Sequence, residues 1–160
     1  MNAVEIIEKV LAADGLKKTM FTFPEAGVSR EVLAQLSSPL ARPLSEQHMR
    51  ILERWNGINL DVIRVGGVNS SDRGIGDLMS EGFQSFAPAP GFVAFGSNFV
   101  GFVFVEAEDG SIWSADTDGD ALTYLADVMD DFFVRLVFGK DAAEFMTEDW
   151  LADLQAAGIV

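Results

Sequence analysis

The residues best placed to do chemistry in this chain are carboxylates. Asp116, Asp118 and Asp120 alternate with Thr117 and Gly119, the spacing that opens an EF-hand calcium loop. Such a loop needs Gly at its sixth place and Glu at its twelfth, where this chain has Ala121 and Asp127. The stretch therefore reads as a solvated turn leading into a helix N-terminus, where the helix dipole favours negative charge. Glu106 with Glu108, and Asp130 with Asp131, could serve as acid and base only if a pocket split their pKa values. His48 is the only histidine and there is no Cys, so a zinc site would need an unusual carboxylate-rich ligand set. Arg73-Gly74-Ile75-Gly76 has two glycines at phosphate-loop spacing but lacks the third glycine and a confident preceding strand. The residues point to no catalytic set, metal or cofactor.

Hydropathy and turn chemistry set out the elements that must position these groups. Ala3 to Ala13 predicts a helix with Val4, Ile7, Val10 and Leu11 on one face, capped by Asn2 with Glu5 reaching back. Ser29 and Ser45 predict two more helix starts, each with a hydrophobic staple: Val28 with Leu33, and Leu44 with Met49. The second of these ends at Asn56-Gly57 and carries a Glu46–Arg50 pair on its outer face. Leu60 to Val65 reads as a strand, and residues 66–91, rich in Gly, Ser and Pro, as the longest irregular region, with a short helical turn near Ile75 to Met79.

The centre of the chain is its most apolar part. Phe92 to Phe95 predicts a short strand and Phe99 to Val105 a central one, with Gly101 marking a bulge or a close backbone approach. Asp109-Gly110 predicts the tip of a hairpin whose return strand is Ile112 to Ala115. Leu122, Leu125, Ala126, Met129, Phe132, Phe133 and Leu136 then predict one amphipathic helix with an Asp131–Arg135 pair on its outer face. Thr147 caps a last helix burying Trp150, Leu151 and Leu154.

Charge divides the chain in two. Residues 1–73 balance nine acids with nine Lys or Arg, whereas residues 74–160 set sixteen acids against Arg135 and Lys140 alone, so the second half carries the whole net charge of −14. Such a field repels nucleic acid and anionic membranes and attracts basic partners. No run reaches the roughly 18 apolar residues of a membrane span. The first residues mix charges into every turn, unlike a signal peptide, and the absence of Cys fits a reducing compartment. A cytoplasmic, single-domain α+β protein is expected.

Within this order of elements, Pro43-Leu44-Ser45 through Trp55-Asn56-Gly57 resembles the "LP…y…fL…NG" helix of the SUKH superfamily. That group includes a fungal cell-wall-synthesis regulator and many bacterial immunity proteins. Val62-Ile63-Arg64-Val65-Gly66 is similar to its next strand and glycine. Phe92 to Phe95, Gly101 to Val105 and Asp109 to Trp113 are similar to its core hairpin, and Leu125 to Leu136 to its closing helix. The resemblance spans about residues 40–138.

It implies a mixed, largely antiparallel sheet with flanking helices, no enzymatic activity, and a protein-binding role, in bacteria commonly the neutralisation of a toxin. The expected partner is a basic toxin domain. Clefts that bind phosphate are basic, and an acidic surface would occupy such a cleft and speed encounter by steering. Glu106, Glu108, Asp109, Asp116, Asp118 and Asp120 are the expected contact residues, on the expectation that they gather at one end of the core hairpin. A regulatory or scaffold module that binds a host protein is the alternative, and a small ligand binder or enzyme with residues 66–91 as a lid is a third.

Overall fold

Six strands follow one another in an antiparallel meander, each hydrogen-bonded to the next in the sequence. They are β1 (Ile58–Asn59), β2 (Ile63–Val65), β3 (Val93–Asn98), β4 (Phe102–Glu106), β5 (Ile112–Asp116) and β6 (Leu122–Ala126). The computed structural model describes residues 1–24, 26–72, 74–119 and 121–160. The expected α+β architecture with its antiparallel sheet is what the chain adopts. Among the described residues, the only parallel pairing is an isolated bridge between Gly67 and Asp77.

Helices α1 (Ala3–Ala12), α2 (Arg30–Ala34) and α3 (Glu46–Arg54) begin where the capping chemistry predicts. Asn2 Oδ1 accepts from Glu5 N–H at 3.0 Å while Glu5 Oε2 accepts from Asn2 N–H at 2.8 Å, which satisfies two otherwise orphaned donors. Ser29 and Ser45 cap α2 and α3 through the N–H groups of Val32 and His48. The buried face of α1 is Ala3, Ile6, Ile7 and Val10, rotated slightly from the expected stripe. Beyond the sheet lie α6 (Ala142–Phe145) and α7 (Glu148–Ala156), the latter capped by Thr147 and burying Trp150 and Leu154. Leu151, expected in the core, is only half-buried.

The sheet has two unequal faces. On one, Phe95 and Phe104 meet Phe132 at ring-centroid distances of 5.4 and 5.3 Å, and Phe132 meets Phe145 and Phe133. This aromatic interior joins Ile7, Val10, Leu52 and Trp55 into the main core. Strand alternation puts Val103 and Val105 on the other face, where with Ala94 they form a small second cluster against Phe83, Phe92 and Trp113. That face is covered by the short helix α4 (Glu81–Gln84). Gln84 secures the cover: its amide donates to the carbonyls of Leu78 and Ala94, both at 2.8 Å, and its Oε1 accepts from Ala94 N–H at 3.0 Å.

Four sequence expectations need correction. Leu60 to Val65 is not one strand, because Asp61 adopts φ 66° and folds β1 back onto β2. Phe99 and Val100 are not on a buried central strand. They form the β3–β4 turn, 72% and 62% exposed, with Gly101 at φ 98° completing it; the bulge lies in β3 at Ala94/Gly96 instead. The helical turn expected near Ile75 to Met79 is placed later, at α4.

The largest correction falls on Leu122 to Leu136. Leu122–Ala126 is strand β6, and helix begins only at Met129 as α5 (Met129–Asp131), continuing as a π-helical segment, Phe132–Val137. A π turn is wider than an α turn and brings residues at i, i+1, i+4 and i+5 to one side. Phe132, Phe133, Leu136 and Val137 are all buried in this way, and Phe138 N–H donates to the Phe133 carbonyl at 2.9 Å. An apolar stripe at these spacings looks like an α-helical face in sequence. Asp131 and Arg135 do not pair; Arg135 binds Asp141 at 2.5 Å.

Candidate functional site

The expected acidic residues divide into groups with different environments. Glu106 ends β4, on the same side as Phe104, and is 1% exposed. Its Oε1 accepts from Arg42 Nη2 at 3.1 Å and its Oε2 from the Ser45 hydroxyl at 2.8 Å. Arg42 also donates to the carbonyls of Glu106, Ala107, Gly91 and Pro43 at 2.8–3.0 Å. Burial pushes the Glu106 carboxyl above its usual range, and the bonds from Ser45 and Arg42 oppose that shift. A buried carboxylate with these partners holds the start of α3 against the end of β4. The expectation that Glu106 contacts a partner is therefore corrected. Period-two alternation from Phe104 was the available signal, since it places residue 106 on the core side.

Glu108 and Asp109 stand exposed at the tip of the β4–β5 hairpin. Asp109 Oδ1 accepts from Ser111 N–H at 2.9 Å and from its hydroxyl at 2.5 Å, and these bonds lower its pKa. Gly110 at φ 90° closes the turn.

Asp116, the last residue of β5, and Asp118, in the β5–β6 turn, belong to the opposite end of the sheet. Asp116 Oδ1 accepts from Asp118 N–H at 2.9 Å, and Thr117 donates to the Gly101 carbonyl at 2.8 Å, which holds this turn beside the exposed Phe99 and Val100. The expected helix N-terminus here is a β-turn. Asp120, like Arg73 of the glycine pair, lies outside the described residues. The five residues of β5 separate the two acidic turns, by roughly 3.4 Å per residue, so the predicted acids do not form one cluster.

Sequence reasoning missed what lies between these turns. Strand β6 is the outer edge of the sheet, and Leu122, Thr123 and Tyr124 are exposed. Tyr124 packs edge-on to Trp113 at 5.3 Å and donates a hydrogen bond to Asp127, which raises its pKa. Asp127 and Asp131 are exposed at the far end of β6, whereas Asp130 is engaged, accepting from Ala3 N–H at 3.0 Å and lying 3.9 Å from Arg50. Among the described residues, no ion pair involves Glu108, Asp109, Asp116, Asp118, Asp127 or Asp131.

His48 is wholly buried in α3 with neither ring nitrogen hydrogen-bonded within the protein, its ring edge-on to Phe95 at 5.9 Å. Burial, together with the charge of Arg42, lowers its pKa to about 3, so it is a neutral core residue. An open cavity of about 290 Å³ lies between β2–β3 and residues 75–83, lined by Arg64, Asp77, Ser80, Phe83 and Ser97. Glu106 borders a separate cleft of about 220 Å³ with Ser45, Gln47 and Met129. Among the described residues, no group of three or more His, Asp or Glu could hold a metal ion, and no helix is long and apolar enough to cross a membrane.

No protein-family model matches the chain, and no curated protein resembles it at a significant level.

Proposed function

We propose that this chain is a non-enzymatic protein-binding domain of SUKH type, an immunity protein that neutralises a cognate toxin by direct contact with a basic surface. The observation that carries the reading is the row of uncompensated carboxylates around β5 and β6: Glu108, Asp109, Asp116, Asp118, Asp127 and Asp131. Arg42 pairs with Glu106 and Arg135 with Asp141. A surface field of one sign steers an oppositely charged protein and raises its association rate. The order of elements from α3 through Asn56-Gly57 to the β3–β4–β5 meander supports the family side of the reading.

The test is protection. Where a toxin gene lies beside this one, cells that lack this chain and receive that toxin die, and expression of the chain rescues them. Survival without the gene would overturn the immunity role. A single protein captured equally well from cells with no toxin locus would favour a regulatory module instead.

A further inference from the structure

The two edges of the sheet are treated differently. At one edge β1 is two residues long and is covered by Thr22, whose N–H and C=O both bond Asn59, at 2.8 and 2.9 Å. At the other edge β6 is five residues, Leu-Thr-Tyr-Leu-Ala, with no described strand beyond it. Folded proteins protect an open edge with Lys, Pro, an inward charge or a bulge; Leu122 to Tyr124 carry none of these, and the register shifts only past them, between Trp113 and Ile112.

The ladder shows which groups are open. Asp116 N–H donates to the Ala121 carbonyl at 3.1 Å, and Leu122, Thr123 and Tyr124 then pair with Ala115, Ser114 and Trp113. Bonding alternates along an antiparallel strand, so Leu122 and Tyr124 turn their N–H and C=O groups outward. Their side chains, 39% and 47% exposed, lie on the α4 side of the sheet, Tyr124 against Trp113 and Leu122 opposite Ala115, an apolar row along the open edge. Arg135 donates to the Leu125 carbonyl at 3.1 Å and closes the row at that end.

We propose that β6 is the docking edge of this protein and that an extended basic segment of a partner protein adds to it as a seventh strand. Main-chain bonds to Leu122 and Tyr124 would supply affinity, and alternate apolar side chains would lie over Tyr124 and Leu122. Charge selects the occupant. Both ends of β6 are acidic, with Asp116 and Asp118 before it and Asp127 and Asp131 after it. A second copy adding in antiparallel fashion would set the Asp118 end of one chain beside the Asp127 end of the other, like charge against like. A segment with lysines at both ends meets carboxylates at both. The inference rests on the protein-binding reading above for the partner's class, but not on the partner being a toxin.

The test uses the full chain and a capped peptide, Lys-Lys-Val-Thr-Val-Lys-Lys, with a version carrying Glu in place of every Lys as control. The lysine peptide binds, and its affinity falls at least about tenfold as salt rises from ~25 to ~250 mM, because the flanking charges are exposed. The amides of Leu122 and Tyr124 gain protection from hydrogen exchange on binding, and the glutamate peptide does not bind. Tyr124→Pro removes an outward donor while leaving the β5 ladder intact, and abolishes binding. The double variant Leu122→Lys/Tyr124→Lys, whose side chains are solvent-exposed, does the same by repulsion and covers the case in which the proline disturbs folding. Absence of binding, equal binding of both peptides, or binding that survives both variants overturns the proposal. Self-association in sedimentation that Tyr124→Pro abolishes overturns it in favour of a second copy. Cell protection is scored separately, so loss of the immunity reading leaves the peptide result standing.

Discussion

Arg42 Nη2 lies 3.1 Å from Glu106 Oε1, with the arginine side chain 15% exposed and the glutamate 1%. The pair locks the segment before α3 to the end of β4, because Arg42 also gathers four backbone carbonyls and Ser45 completes the carboxylate's shell. Removing one member of a buried pair strands the other, at a cost of about 3–5 kcal/mol. Arg42→Met should therefore lower the unfolding free energy from chemical denaturation by that amount, with a matching fall in the midpoint. Glu106→Gln keeps the shape and an acceptor and should cost clearly less. If the two variants unfold at the wild-type midpoint, the pair is not a structural lock.

His48 makes stability depend on acid in a defined window. Its ordinary value is 6.5 and the folded value is about 3, so below pH 6.5 the unfolded chain takes up a proton that the native chain does not. Stability is thus full above pH 6.5 and falls as pH drops toward 3, by about 1.4 kcal/mol per unit from this group alone. Glu106 acts in the opposite sense, since its raised folded value makes the native state hold a proton more tightly in mild acid. His48→Leu removes the first contribution and two buried ring nitrogens without partners. It should flatten the acid limb between pH 6 and 4 and leave stability at pH 7.5 unchanged or raised by about 1–2 kcal/mol. A variant with the wild-type pH profile would show that His48 is solvated in the native state.

Asn56-Gly57 looks in sequence like a helix stop, and the structure gives both residues a larger task. Asn56 Oδ1 accepts from Val68 N–H at 2.6 Å and its amide donates to the Val68 carbonyl at 3.1 Å, pinning the end of α3 to the loop after β2. Gly57 sits at φ 91°, and a Cβ there would stand 2.2 Å from Ile75 Cγ2. Gly57→Ala combines a disfavoured backbone with a clash and should cost at least about 2 kcal/mol, and Asn56→Ala about 1–3 kcal/mol through the unpaired Val68 groups. Thermal denaturation of both variants checks this; a midpoint within a degree of wild type for Gly57→Ala would be inconsistent with the packing described.

Local chemistry was legible in the sequence wherever it acts over a few residues. The caps at Asn2, Ser29, Ser45 and Thr147 and the Asp109-Gly110 turn stand where their residue types place them. What the sequence could not disclose depends on partners far along the chain. Strand alternation from Phe104 places Glu106 on the core side, but the partner that makes a buried acid tolerable there, Arg42, stands 64 residues away. Leu122 to Ala126 fits a helical stripe or an edge strand equally well, and pairing with Trp113 to Ala115 decides between them. Glu108 and Asp109 are close in sequence to Asp116 and Asp118, yet a strand between them sends the two pairs to opposite ends of the sheet. Charge density was therefore readable and its distribution was not.

That distribution leads to a prediction about association with the partner. Glu108 and Asp118 are exposed and among the described residues join no ion pair, so reversing either charge leaves the fold intact, within about 0.5 kcal/mol. Asp118 stands at the start of β6, whereas Glu108 stands at the β4–β5 tip, away from the edge strand. Long-range steering depends on the summed field, so Glu108→Lys and Asp118→Lys should slow association with a basic partner by similar factors, about two- to fivefold each at low salt. Dissociation separates them. Only Asp118→Lys should speed it, because only that residue lies close enough to a strand added at β6 to be felt in the complex. Stopped-flow measurements of both rates with the cognate toxin, at low and at physiological salt, decide the matter. Equal effects of the two reversals on dissociation would place the contact across both turns rather than along the edge, and unchanged association in both would remove the steering mechanism.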